Sequence, residues 1–82
     1  MDLTLRKLLE RQVQKDTTQL AELHADLMRF EQRYGMASAD FFTKYQDGRA
    51  GDAMDAFEWN VMYKMYTRLA GAVDILQAQL QE

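Results

Sequence analysis

The sequence has no cysteine and no proline, and it has only four glycines, one histidine and one serine. Without cysteine, disulfides and thiolate metal sites are excluded, and a reducing compartment is the natural setting. Without proline, and with few glycines, little interrupts a helix. A single histidine, His24, rules out a histidine-rich metal centre and reads best as a helix-surface or seam residue. Ser38 has no candidate base near it in the sequence and is better explained as a helix cap. There is no glycine-rich phosphate loop. No apolar run approaches the roughly 20 residues of a membrane span. Met1 to Leu9 is broken by Asp2, Arg6 and Lys7, so no signal peptide is expected there, and a cytoplasmic location is the default.

What remains is a chain of 82 residues, 48% hydrophobic, which fits one helical domain over residues 1–82. The net charge of −3 is unevenly spread. Residues 1–33 carry six basic and six acidic side chains, whereas residues 34–82 carry four and seven. Nucleic-acid binders usually show a basic stripe. Here Arg6, Lys7, Arg11 and Lys15 are diluted by Asp2, Glu10 and Asp16, so direct nucleic-acid binding is not expected. An acidic chain that uses its charge should meet a basic partner.

Apolar spacing predicts three helices. The first runs from about Leu3 to Tyr34 and is roughly 45 Å long. Its seam is a heptad with Val13, Leu20, Leu27 and Tyr34 in one position and Leu9, Asp16, Leu23 and Phe30 in the other. Asp16, with Thr17 and Thr18 beside it, interrupts that seam, and it either pins the register or, the favoured expectation, weakens the helix there. Gly35 suits a left-handed helix end, and Ser38 and Asp40 suit the start of a short second helix, about Ala39 to Gln46. Asp47-Gly48 marks a turn. Asp52, with Asp55 three residues on, predicts a capped third helix from about Ala53 to Gln79. Its stripe includes Met62, Met65, Tyr66, Leu69, Ala72, Val73, Leu76 and Leu80, and a second strip of Met54, Phe57, Val61 and Met65 lies beside it. Together these are wider than one helix can cover. The expectation is therefore an all-α, coiled-coil-like helical hairpin (long, short, long), dimeric as a bundle. Val13, Leu20, Leu23, Leu27, Leu69, Val73, Leu76 and Leu80 would form the hairpin or dimer seam.

All nine aromatic residues lie between Phe30 and Tyr66, so the bend should be an aromatic knot between aliphatic arms. These rings suit a local core. Trp and Tyr are also the usual anchors of a binding surface. Phe42, Tyr45, Trp59 and Tyr63, with the acids Asp52, Asp55 and Glu58, form the candidate partner-binding set. An acid–base or Mg²⁺ role for Asp52 and Asp55 is a remote alternative, because acids at helix starts are common for dipole reasons. No enzyme activity and no cofactor are expected.

The segment FEQRYGMASADFFTKYQDGRAGDAMDAFEW resembles a family of small prokaryotic proteins with the pattern F-E-x-K-Y-G-M-S-S-E-E-F, then K-Y-x-x-G, then G-D-x-M-D-x-x-E-W and a tyrosine-rich helix. The matching positions are Phe30, Glu31, Tyr34, Gly35, Met36, Phe42, Tyr45, Gly48, Gly51, Asp52, Asp55, Glu58 and Trp59. Arg33, Ala37, Ala39 and Asp40 depart mildly from the pattern, and residues 1–20 have no counterpart in it. This family is similar to the TumA-type antitoxins that partner TumE-type toxins. The resemblance implies stoichiometric binding and neutralisation of a cognate small toxin, an RNA-cleaving one. The residues by themselves imply only a helical partner-binding protein, and a dimerisation or scaffold module without a toxin is the competing reading.

Overall fold

A computed structural model describes residues 1–51 and 54–81. Three helices follow one another: α1 over Leu3–Tyr34, α2 over Ser38–Gln46 and α3 over Met54–Leu80. The two long helices lie along each other and α2 packs across the bend, mainly on α3. The molecule measures 50 × 21 × 17 Å. Among the described residues no strand occurs, and no helix is long and apolar enough to cross a membrane. The expected helical hairpin, long then short then long, is the observed fold.

Local chemistry sets the ends of the helices. Asp2 opens α1 by accepting a hydrogen bond from the Thr4 N–H at 3.0 Å. Gly35 closes it in the left-handed region at φ 63°, and its N–H donates to the Glu31 carbonyl. Gly48, at φ 72°, makes the corresponding turn after α2. The start of α2 corrects an expectation. Ser38 is not its cap but its first helical residue, and Ala37 at the cap position offers no side-chain acceptor. The Glu31 carboxylate, from the last turn of α1, accepts the Ser38 N–H at 2.8 Å instead. The helix therefore borrows its cap from its neighbour, which leaves the Ser38 hydroxyl free for another partner. The predicted cap Asp52 and the predicted first residue Ala53 of α3 lie outside the described residues.

The seam also resolves. Leu23, Leu27 and Val73 are buried, and Val13, Leu20, Leu69, Leu76 and Leu80 are half-buried between the arms. These residues are used within one chain, as a hairpin seam. Asp16 is buried in it at 8% exposure, and the Gln12 side-chain amide donates to its carboxylate at 2.8 Å. The helix is continuous through this position, because an i, i+4 partner satisfies the acid without breaking the backbone ladder.

Candidate functional site: the bend and the exposed flank of the third helix

The hydrophobic core is concentrated at the bend. Leu27, Phe41, Ala56 and Trp59 form its buried centre, and Phe30, Met36, Tyr45, Met62, Tyr63 and Tyr66 pack around them. Trp59 is only 2% exposed. Its ring lies nearly parallel to Phe41 with centroids 3.9 Å apart, and Phe30 and Tyr34 stack against it at 5.5 and 5.7 Å. Its indole N–H donates to Ser38 Oγ at 2.9 Å. One residue from each helix is thus joined in a short polar chain: the Glu31 carboxylate holds the Ser38 backbone, and the Ser38 hydroxyl holds the Trp59 indole. Hydrogen bonding from Ser38, its backbone N–H first and its side chain second, keeps the Glu31 carboxyl below its ordinary value of 4.5.

Trp59 suits either a local core or a surface anchor in the candidate partner-binding set, and the structure corrects the anchor reading. The ring has no free face to present, since four aromatic side chains share one pocket and the indole N–H already has its acceptor. Asp55 is corrected in the same sense. Its carboxylate accepts from Arg33 at 2.8 Å and from the Tyr34 hydroxyl, so it clasps α3 to the end of α1. These donors hold the Asp55 carboxyl below its usual range, Tyr34 being the larger cause. Asp55 in turn raises the Tyr34 phenol and the Arg33 guanidinium. Asp52 lies outside the described residues.

The other candidates divide into two places. Phe42, Tyr45 and Tyr63 are half-buried at the α2 side of the bend, with the Phe42 and Tyr63 rings 5.1 Å apart and Tyr45 tilted on Phe41 at 5.9 Å. Asp40 in the first turn of the same short helix and Asp47 at its C-terminal cap are exposed, and Asp47 accepts a hydrogen bond from Arg49 at 2.9 Å. Glu58 stands elsewhere, in a groove between α1 and α3 that also holds Asp26, Arg29 and Arg33. It is exposed and, among the described residues, forms no ion pair.

Sequence reasoning singled out no chemistry at Asn60. It is 5% exposed, and its side-chain carbonyl has no hydrogen-bond partner among the described residues. Nor did it foresee Glu31 as a cap in trans; the only signal was an acid seven residues ahead of a helix start that lacks its own acceptor. The second strip on α3, by contrast, was legible, and it is uncovered: Met54 is 71% exposed, Phe57 57%, Val61 37% and Met65 45%. Among the described residues no group of three His, Cys, Asp or Glu side chains converges as metal ligands would. No family model, curated protein or solved structure matches the chain.

Proposed function

We propose that this protein acts as an antitoxin-like inhibitor, a helical hairpin that binds a small basic toxin in a stoichiometric complex and blocks its RNA-cleaving surface. The observation that carries the reading is the α2 edge of the bend. Phe42, Tyr45 and Tyr63 present partly open rings, Phe42 and Tyr45 from the short helix and Tyr63 from α3 against them, aromatic anchors of the kind a partner needs; exposed Asp40 on the same short helix adds a negative charge that suits a basic partner. The resemblance of residues 30–66 to antitoxins supports the same reading. Within it the chain is a homodimer and resides in the cytoplasm.

The test is co-expression with the product of the adjacent reading frame. That product should be small, basic and toxic alone, and should co-purify with this chain. Phe42→Ala with Tyr45→Ala should weaken the complex at least about tenfold, which is ~1.4 kcal/mol, while helicity is retained. A harmless neighbour, or a complex indifferent to both rings, overturns the reading. The scaffold alternative draws on different residues: Leu3, Leu5 and Leu8 are 65%, 48% and 54% exposed at the far end of α1. If that end is the working part, removing residues 1–20 abolishes activity and the α2 rings do not matter.

A further inference from the structure

The exposed flank of α3, along the groove where Val61, Met65, Arg68 and Ala72 meet Gln19 and Leu23 of α1 and Glu58 meets Arg29 and Arg33, carries a second heptad beside the seam. Met54, Val61, Arg68 and Ile75 occupy one position, and Glu58, Met65, Ala72 and Gln79 the other. Met54, Val61, Met65 and Ile75 are all exposed. Such an uncovered a/d stripe is the seam of a coiled coil that lacks its second helix. The whole chain also exposes more surface than a compact monomer would. The chain exposes 5937 Å², whereas a compact monomer of 9.6 kDa exposes about 5,100 Å². The surplus of roughly 800 Å², part of it the cost of the elongated shape, leaves surface for a second chain to cover.

The charges on the stripe select the occupant and its direction. Glu58 and Arg68 are both exposed, and neither forms an ion pair among the described residues. We infer that α3 pairs antiparallel with α3 of a second copy of this chain, centred on Tyr63. In that register Val61 lies opposite Met65 of the second copy, and Met54 opposite Ala72 of the second copy. Glu58 then lies opposite Arg68 of the second copy, and the symmetry repeats each contact. All three pairs share the same midpoint in the sequence, so one register satisfies them together. A parallel pair would instead set Arg68 on Arg68 and Glu58 on Glu58 in the seam, where like charges repel. The stripe is therefore self-complementary in one direction only, which is the requirement of an isologous two-fold contact. The pairing deepens the dimer part of the functional reading and involves no toxin, so the two can fail separately.

The experiment uses the purified full chain alone. Sedimentation velocity at micromolar concentration should give a dimer, and Val61→Glu should give a monomer with the helical circular dichroism retained. Glu58→Arg and Arg68→Glu should each raise the dimer dissociation constant about tenfold, and the double variant E58R/R68E should restore it. The absence of native cysteine gives a direct readout of direction. The double variant M54C/A72C should cross-link two chains on oxidation, and M54C alone should not, since the two Met54 positions would stand about 27 Å apart along the helices. A monomeric wild type, a dimer that survives Val61→Glu, charge reversals that neither weaken nor rescue, or cross-linking by M54C alone would each overturn the pairing.

Discussion

At the residue scale the decisive side chain is Trp59, whose ring is fully enclosed and whose N–H is spent on Ser38. Trp59→Ala should cost about 3–5 kcal/mol, read as a lowered midpoint of urea unfolding, and any loss of partner binding would follow from the damaged bend. Ser38→Ala should cost about 1–3 kcal/mol, because it leaves a buried indole donor without its acceptor. Glu31 gives a pH dependence. Its carboxyl is held below 4.5 in the folded chain by the Ser38 bonds, so its stabilising contribution is present above 4.5 and is lost as the pH falls through the folded value. Thermal melts should therefore show stability declining below about pH 4.5, and Glu31→Gln should flatten that decline. Tryptophan at the bend was read from the sequence both as core and as anchor. The choice between them depended on where Ser38 and Phe41 came to rest, and neither periodicity nor composition carries that information.

At the scale of the helices, the arms were legible because their periodicity is strong, and Gly35 was legible because a left-handed end favours glycine. The start of α2 was not, because its cap comes from Glu31 in another helix, and local capping rules look only at the residues next to the helix. Two predictions belong here. A Cβ added at Gly35 would meet nothing within 4 Å, so Gly35→Ala should cost only the backbone strain of a positive φ, about 1 kcal/mol. Gly35→Val should cost more, and denaturant melts of the two should differ accordingly. Asp16 is enclosed among the arm residues with Gln12 as its hydrogen-bond partner. Asp16→Leu should continue the apolar seam and stabilise the hairpin by about 1–2 kcal/mol, measured as a rise in Tm. A fall in Tm would mean that the acid has a role in the arms beyond filling the seam.

At the scale of the whole molecule the interior is unevenly distributed. The aromatic centre, the polar chain from Glu31 through Ser38 to Trp59 and the Arg33–Tyr34–Asp55 clasp all sit at the closed end. The opposite end has only half-buried aliphatic residues such as Val13 and Leu80, beyond which Leu3, Leu5 and Leu8 stand open. The fold class was legible at this scale, since three periodic stretches joined by short glycine-containing turns leave few alternatives to a hairpin. The uneven interior gives the hairpin an order of assembly. Contacts across the bend join residues close in sequence and cost the least chain entropy to close, so structure should begin there and zip outward toward the free ends. Amide exchange should then grade along each arm, slowest near Leu27 and Trp59 and fastest toward Leu3 and Leu80, as in a clothes-peg whose spring lies at one end.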